Sequence, residues 1–303
     1  MDAQSCLSEL QALIRRHARP DEATAIPGVL LSAAAEAGEP RASSTGTVFA
    51  LIVRGAKRLA IGERTYDYGP GQYLVASVDL PITGHYTEAP ALGFGLVLRP
   101  AVIAELLLSS PESHGGPPPS GLGVADASAA LLDAVVRMVR LLEGSAADQA
   151  VLAPMLEREI LWRLMTGPLG PTVRAIGVAD SSLTYIGRAV RWITEHSDRS
   201  FRVEELAHTY GMSVSAFHRA FHAVTALSPI QFQKQIRLQR SRLLLLSGAD
   251  DVATVAFRVG YDSASQFSRE YRRQFGLPPG RDAARLRGQS LGLSTKRQRP
   301  TGV

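Results

Sequence analysis

The chain lacks the features that define several large protein classes. Its 303 residues include one cysteine, Cys6, so neither an intramolecular disulfide nor a cysteine zinc site can form, and a reducing cytoplasm is the expected setting. The longest aliphatic run, Leu243 to Leu246, is far shorter than the roughly 20 apolar residues of a membrane span. The N-terminus has no apolar core ahead of a small-residue cleavage site, so it is not a secretory signal. We therefore expect a cytoplasmic protein without a membrane span.

Charge is divided unevenly along the chain. Residues 1–177 carry 14 Lys and Arg against 18 Asp and Glu, whereas residues 178–303 carry 19 against 10. A strongly basic second half is typical of a domain that meets a polyanion such as nucleic acid. A basic surface that only aids solubility would have the same composition, so the spacing of the residues has to decide between the two.

The first half has the pattern of a β domain. Between residues 46 and 98, short runs rich in Val, Ile, Leu and Tyr are interrupted by Gly or Pro. Within them Leu92, Phe94, Leu96 and Leu98 alternate as one buried face of a strand should. Many short strands with glycine turns predict a sandwich or a small barrel.

Helical periodicity flanks this β region. One helix is predicted from Ser5 to about His17, and two longer ones over about 126–143 and 148–165. The apolar stripe on the longer helices has two interpretations, packing on the barrel and a twofold contact with a second chain, and we expect one face to serve each. Glycines and prolines then predict a linker over 171–180.

A helix–turn–helix pattern lies in the basic half. Ala207 is small enough for a close helix crossing, Gly211 can end the first helix in the left-handed conformation, and Ser213 can cap the second. Phe217 and Phe221, four residues apart, predict a buried face on the second helix. The opposite face carries polar side chains that could reach base edges in a major groove, namely Ser215, His218, Arg219 and His222.

The same pattern recurs later in the chain. Ala256 and Gly260 repeat the alanine and glycine at an offset of 49 residues. Phe267 and Tyr271 repeat the two phenylalanines at an offset of 50, so the second turn is one residue longer. Its outward face carries Ser265, Gln266, Arg269, Arg272 and Arg273. One such unit is weak evidence, but two in tandem in a basic domain strongly indicate a reader of duplex DNA.

A single helix of about 17 residues, beginning at Pro229, is predicted between the motifs. It would span about 25 Å and could hold the two recognition helices in successive major grooves, which lie about 34 Å apart. It carries four cations, which are Lys234, Arg237, Arg240 and Arg242. Each can contact phosphate or form a structural ion pair with an acid such as Glu270 or Asp262, and the sequence leaves both open.

These residues resemble the DNA-binding domain of the arabinose-operon regulator (AraC/XylS) family of transcription factors. The resemblance covers about Ser182 to Arg285 and rests on LAHTYGMS, IRLQRSRLLL and VAFRVGYDSASQFSREYRRQFGLPP. Phe257 departs from the family pattern, which usually has a polar residue there, and we expect it to add a core contact. Pro279 is followed by Gly280 and Arg281, where the family often has a Tyr-Arg pair.

The first half more loosely resembles the N-terminal domain of one branch of that family, through LIVRGAKRLAIGERTYDYGPGQYLVASVDLPITGHYTEA. In the family such a domain is a cupin-like β-barrel with helices that senses a small molecule and mediates dimerisation. The resemblance therefore implies a two-domain α+β protein with a linker helix between two helix–turn–helix motifs. Its parts are an effector-binding and dimerisation domain over 1–170, a linker over 171–180, an all-α DNA-binding domain over 181–287 and a disordered basic tail over 288–303.

The motifs and the resemblance together predict a sequence-specific transcription regulator of the activator type, not an enzyme. Its expected partners are double-stranded DNA, RNA polymerase, a small-molecule effector of unknown identity and a second copy of the chain. No cofactor or metal is expected, because a catalytic cupin needs several histidines and residues 46–98 contain only His85, with Glu88 three residues on. A cupin enzyme with an appended basic domain and a constitutive DNA-binding scaffold are the alternatives.

The site residues follow from the outward faces of the helices and from the aromatic residues of the strands. Candidates for contacts to DNA bases are Ser215, His218, Arg219, Ser265, Gln266 and Arg269. Candidates for contacts to phosphate are His222, Lys234, Arg237, Arg240, Arg272 and Arg273. Candidates for the effector pocket are Tyr73, His85, Tyr86 and Phe94.

Overall fold

The computed structural model describes residues 2–109, 120–178, 181–248 and 251–296, with side chains as far as Arg287. Its strands are β1 Val29–Ala34, β2 Arg41–Ser44, β3 Val48–Ile61, β4 Arg64–Tyr68, β5 Gln72–Ala76, β6 Pro81–Val97 and β7 Leu122–Asp126. Its α-helices are α1 Ala3–His17, α2 Pro100–Leu108, α3 Ala129–Arg140, α4 Ala146–Met165, α5 Gly170–Gly177, α6 Ser182–Glu195, α7 Val203–Thr209, α8 Val214–Thr225, α9 Pro229–Ser247, α10 Val252–Arg258, α11 Ala264–Phe275 and α12 Pro279–Lys296. The predicted α+β class, with a sheet followed by an all-helical region, is confirmed. None of the helices in the described part of the chain is long and apolar enough to cross a membrane.

The chain divides into two units, which are Met1–Arg191 with Ala207–Ser228 and Trp192–Leu206 with Pro229–Val303. The first unit includes α8 because the end of this helix lies against the sheet region. Leu227 lies next to Gly62, and Val224 lies next to Gly121. This division differs from the predicted domain boundary at residue 181.

All strands in the described part of the chain join one antiparallel sheet. Its main path runs β1-β6-β3-β5-β7, while β2 pairs with β6 and β4 pairs with β3. The ladder between β3 and β6 shifts register at three places between Ile52 and Lys57. Such irregularities add twist and bend a ladder, so the long strands fold the sheet over and make one face concave.

The sheet is not the closed barrel that the sequence predicts. No ladder among the described residues joins β1 to β7, the two ends of the main path, which have six and five residues. A closed barrel needs strands paired around the whole circumference with a fixed stagger. The short end strands leave this path open, so the cupin-like barrel is corrected to an open and strongly bent sheet.

Helices cover one face of the sheet. α1 packs on α3 and touches β1, β3 and β6, while α3 packs on α4 and α4 packs on α5. The sheet face that meets these helices carries an aromatic cluster, in which the Phe49 ring centroid lies 5.3 Å from that of Tyr73 and 6.0 Å from that of Phe94. The Tyr73 hydroxyl approaches Gly167 at the end of α4. The main core of the first unit therefore lies between sheet and helices.

Two segments differ from the prediction. Residues 171–177, predicted as linker, form most of α5, which packs on α2 and α4. Pro171 is compatible with this helix because it lies in the first turn, where no backbone donor is needed. α12 continues to Lys296, so part of the predicted disordered tail is helical, and residues 297–303 lie outside the described residues.

The second unit has a core in which α9, α10, α11 and α12 meet. Val255 and Ala256 of α10 and Phe267 and Tyr271 of α11 are buried there. Phe257, expected to add a core contact, is 58% exposed, so this expectation is wrong. Each helical residue is turned by about 100° from the one before, and the inward positions of α10 are taken by Val255 and Ala256.

Candidate nucleic-acid interface

The two predicted motifs fold as local repeats of one another. Gly211 and Gly260 sit in the turns with φ of +66° and +93°, a conformation that favours glycine. The amide after each glycine reaches back five residues to the end of the first helix, from Met212 to Ala207 over 2.9 Å and from Tyr261 to Ala256 over 3.0 Å. The same hydrogen bond therefore closes both turns.

The second helices also begin and end alike. Ser213 caps α8 and Ser263 caps α11, because each side-chain oxygen accepts a backbone N–H three residues further on, over 3.3 Å. At the other end, Ala226 and Gly276 have φ of +58° and +77° and donate to the carbonyl four residues back. The repeat thus extends beyond the residues matched in the sequence and keeps its offset of 50 residues.

α8 has one apolar and one polar face. Phe217 and Phe221 are fully buried, with ring centroids 5.6 Å apart. The predicted DNA-contacting side chains of this helix all lie exposed at spacings of three and four residues, and they are Ser215, His218, Arg219 and His222. A polar stripe backed by buried aromatic rings is what a helix in a major groove needs.

α11 repeats this arrangement with more positive charge. Phe267 and Tyr271 are fully buried. The predicted side chains on the other face are all exposed, and they are Ser265, Gln266, Arg269, Arg272 and Arg273. A shallow depression of about 380 Å³ on this face is lined by Gln266, Arg269, Glu270 and Arg273. Each helix therefore gathers its candidates on one face, while their contacts to bases and phosphates stay predictions.

Three of the predicted phosphate-contacting cations are engaged within the protein. Nζ of Lys234 lies 2.9 Å from a carboxylate oxygen of Glu270, which is the structural alternative that the sequence left open. Arg237 is half-buried and donates to three backbone carbonyls, those of Ser197, Arg199 and Gly260. Arg240 is exposed and donates to the Ser197 hydroxyl over 2.7 Å. A phosphate contact by Lys234 or Arg237 would have to compete with these bonds.

Glu270 is an anionic centre on the otherwise cationic α11. It accepts hydrogen bonds from Lys234, from Gln266 over 3.2 Å and from the Tyr261 hydroxyl over 2.9 Å. Burial acts to raise the pKa of Glu270, but these three donors outweigh it and lower that pKa. Burial and the hydrogen bond to Glu270 raise the pKa of Tyr261, so its hydroxyl stays protonated and donates. A base contact by Gln266 would compete with this carboxylate.

A second buried carboxylate, Asp282, was not predicted from the sequence. It is fully buried in the first turn of α12 and accepts from Arg242 over 2.8 and 3.2 Å and from the Tyr271 hydroxyl over 2.9 Å. The Arg242 guanidinium also lies 4.6 Å from the ring centroid of Phe275. These contacts tie α9, α11 and α12 together. The available signal was an aspartate three residues after the helix-starting Pro279.

The four predicted effector-pocket residues do not share one surface. Tyr73 and Phe94 belong to the aromatic cluster between sheet and helices. His85 is paired across the ladder with the exposed Arg58, so the two share one face of the sheet. Tyr86, the next residue, points to the opposite face. The structure therefore does not bring the four side chains together.

Cys6 is fully buried on α1. Burial, with the nearby carboxylate of Asp133, raises the pKa of its thiol, so the thiol is protonated near neutral pH and a poor nucleophile. Within the part of the chain that the structure describes, no three His, Cys, Asp or Glu side chains are grouped as metal ligands.

Family models match both halves of the chain. A family model described as "AraC-type transcriptional regulator N-terminus" matches residues 25–172, and one described as "Helix-turn-helix domain" matches residues 206–285. The chain belongs to the AraC-type transcriptional regulators. The sequence resemblance is thereby confirmed in both parts of this AraC-type regulator.

Curated relatives of this AraC-type regulator match it over part of their length. The HTH-type transcriptional activator RhaS of Escherichia fergusonii is 28% identical over 158 residues, which are 50% of this chain and 56% of that protein. The HTH-type transcriptional regulator ExsA of Pseudomonas aeruginosa is 26% identical over 131 residues, which are 43% and 47%. The chain thus spans about half the length of the curated relatives it matches.

A solved structure of similar fold covers both halves. An apo variant of ToxT from Vibrio cholerae has a TM-score of 0.53 and 9% identity, and the match covers 86% of this chain and 98% of that one. At this identity the comparison shows a shared fold for the AraC-type regulator and nothing further.

Proposed function

We propose that this AraC-type regulator binds specific sites in double-stranded DNA and controls transcription from them. The observation that carries the proposal is the pair of exposed polar stripes on α8 and α11, which place Arg219 and Arg269 at equivalent positions of two repeats. An arginine at such a position can bond guanine through two atoms at once. The neighbouring candidates Ser215, His218, Ser265 and Gln266 would read adjacent base edges.

In this proposal the cations around each stripe hold the protein on the DNA backbone. Arg272 and Arg273 are exposed beside Arg269, and His222 and Arg240 are exposed on α8 and α9. Contacts of this kind position a protein on the duplex without reading its sequence. The two second helices would enter successive major grooves about 34 Å apart.

The test begins by selecting a preferred duplex from a random library with the full-length chain. Dissociation constants are then measured by fluorescence anisotropy on that duplex and on a scrambled one, at several salt concentrations. Arg219→Ala and Arg269→Ala should each cost about 1–3 kcal/mol on the selected duplex and relax the preference at one base pair. Arg272→Ala should weaken binding to both duplexes and lower the salt slope by about one.

Arg64→Ala is the matched control, because it removes the same charge from an exposed position on β4. It should leave both dissociation constants unchanged. Equal losses on selected and scrambled DNA in Arg219→Ala and Arg269→Ala would exclude a base-reading role for these arginines. A parent chain that shows no preference among duplexes would overturn the proposed function.

The first unit supplies the regulatory part of the proposal. We infer that it binds a small-molecule effector and that the effector shifts the population between states with different contacts to DNA or RNA polymerase. RhaS, one of the relatives, is named a transcriptional activator, which supports recruitment of RNA polymerase as the mode of action. The protein would act in the cytoplasm, by binding and not by catalysis.

The outer face of α4 supports a homodimer. One side of this helix packs on α3, while Val151 and Met155, one turn apart, are 65% and 63% exposed. Leu152 and Trp162 are exposed on the same helix. Apolar side chains at helical spacing on an open surface are typical of a helix–helix contact. We propose that a second copy of the chain packs on this face.

A further inference from the structure

A lysine lies between two tyrosines on the bent part of the sheet. The ladders pair Lys57 of β3 with Tyr68 of β4 on one side and with Tyr86 of β6 on the other. Directly opposed residues of an antiparallel ladder share one face, so the three side chains form a row. Nζ of Lys57 lies 5.2 Å from the ring centroid of Tyr86.

The row faces the concave side of the sheet. The Tyr86 hydroxyl reaches the hydroxyl of Ser32 on β1, 2.8 Å away, although Ser32 is paired with Gly93 in a distant part of the ladder. A Cβ added at Gly93 would lie 2.7 Å from Oγ of Ser32 and 3.7 Å from the Tyr86 hydroxyl. Only a residue without a side chain at position 93 therefore lets the two hydroxyls lie this close to the strand.

The concave face is more open than the face beneath the helices. On the helix side, Leu31 of β1 and Phe49 of β3 are completely inaccessible. Their neighbours on the concave side, Leu30, Ser32 and Ala50, remain partly accessible. The concave face is therefore partly open at these three positions, whereas Ile52 and Leu74 on the same face are buried.

Within the described part of the chain, two polar groups on this face make neither a hydrogen bond nor an ion pair. Among the described residues, no carboxylate lies within ion-pair distance of the Lys57 ammonium. Burial lowers the pKa of Lys57 and outweighs the charge of Glu22, which acts from a longer distance to raise it. Tyr68 is 3% exposed, and its hydroxyl makes no hydrogen bond within the described part of the chain, while burial raises its pKa. An anion that reaches groups desolvated in this way stabilises them through a charge-assisted interaction.

We propose that the concave face binds a small monocarboxylate with an apolar body. Its carboxylate pairs with the Lys57 ammonium and accepts hydrogen bonds from the hydroxyls of Tyr68 and Tyr86, while Ser32 donates to Tyr86. One cation matches one negative charge, and Leu30 and Ala50, both partly accessible, offer an apolar surface to the rest of the molecule. The inference rests on the proposed effector-binding role of the first unit and gives that effector a chemical class.

The scarcity of lysine makes a direct test possible. The chain has three lysines, Lys57, Lys234 and Lys296, so reductive methylation with ¹³C-formaldehyde gives three lysine signals in a ¹H–¹³C spectrum of the full-length protein. The Lys57 signal is the one that is missing in Lys57→Arg. Sodium butyrate, octanoate and benzoate are titrated, with the uncharged amides of the same three acids as controls.

At least one carboxylate should shift the Lys57 signal to saturation and leave the Lys234 and Lys296 signals in place. The amides should move none of them. If no carboxylate moves the Lys57 signal, or if the amides move it equally, the inference is overturned. Because this readout uses the parent chain, it does not depend on whether a variant folds.

A pair of variants then tests the role of the ammonium by thermal shift with the same carboxylate. Lys57→Met keeps the length of the side chain without its charge and should weaken the dissociation constant at least tenfold. Arg58→Met removes a cation one residue away on the opposite face, where it pairs with Asp67 over 2.6 Å, and should leave binding unchanged. An unchanged dissociation constant in Lys57→Met would contradict the proposal.

DNA binding by the same preparation separates this inference from the proposed function. A chain that shows a duplex preference but binds none of the carboxylates overturns the carboxylate inference alone. A chain that binds a carboxylate at Lys57 but shows no duplex preference overturns the proposed function alone.

Discussion

Replacing Asp282 with asparagine probes the buried ion cluster that joins α9, α11 and α12. The Asp282 carboxylate is completely inaccessible and accepts two bonds from Arg242, one from Tyr271 and one from Arg285 on the same helix. Asparagine keeps the size of the side chain and one acceptor oxygen but removes the charge. It would leave Arg242, whose side chain is only 13% exposed, without its counter-charge.

Removing one partner of a buried ion pair costs about 3–5 kcal/mol. Arg242 keeps a small exposed fraction and a contact with the ring of Phe275, so we expect the lower end of that range, about 3 kcal/mol. A domain of this size is stabilised by about 5–15 kcal/mol in total. A loss of 3 kcal/mol should therefore lower its melting temperature by more than roughly 10 °C.

Urea unfolding followed by tryptophan fluorescence can measure this loss within the second unit. The chain has two tryptophans, so a Trp162→Phe background leaves Trp192 as the reporter. Trp192 stacks on His196, with ring centroids 4.6 Å apart, and meets the edge of Phe201, so its emission depends on local packing.

Asp262→Asn is the matched control, because it makes the same chemical change at an exposed position in the turn before α11. Its unfolding midpoint should equal that of the parent. A midpoint for Asp282→Asn that also equals the parent's would refute the reasoning, because it would mean that the buried charge contributes nothing to the fold. A double variant with Arg242→Gln should lose less than the sum of the two single changes, since the two groups contact each other.

Two further predictions concern the turns and the dimer. Gly211→Ala should cost ~1–2 kcal/mol of stability, because alanine disfavours the positive φ of this turn. Gly260→Ala in the equivalent turn should cost at least twice as much, because a Cβ at Gly260 would also collide with the Asp198 carbonyl, whereas Gly211 faces open space. The urea unfolding midpoints of both variants measure the two losses, and equal losses would contradict the prediction. Met155→Glu on the outer face of α4 should convert a dimer to a monomer in sedimentation analysis, and an unaltered sedimentation coefficient would show that this face is not the contact.

Most of what the sequence predicted about the DNA-binding half came from short-range patterns. Helix caps, turn glycines and aromatic pairs four residues apart are set within a few residues of one another, so the positions of α8 and α11 and their outward faces follow from spacing alone. The exposed Arg219 and Arg269 are the result. Asp282 was missed because its partners on α9 and α11 are far away in the chain, and its local pairing with Arg285 does not indicate burial.

The sheet was less predictable for the same reason. An alternating pattern shows which residues of a strand share a face, but not which strands become neighbours or where a ladder bends. Tyr73 and Phe94 were assigned to a pocket because they are aromatic, although register places them beneath the helices. The sequence alone did not indicate that Lys57 lies between Tyr68 and Tyr86, because this arrangement depends on strand pairing in two ladders.

Arg237, halfway along α9, couples the local unfolding of two segments of the second unit. Its guanidinium is bonded both to the segment before α7, at Ser197 and Arg199, and to Gly260 in the turn of the later motif. Neither segment can loosen without releasing the same side chain. The rates of amide hydrogen exchange in the two segments should therefore rise together when this arginine is replaced.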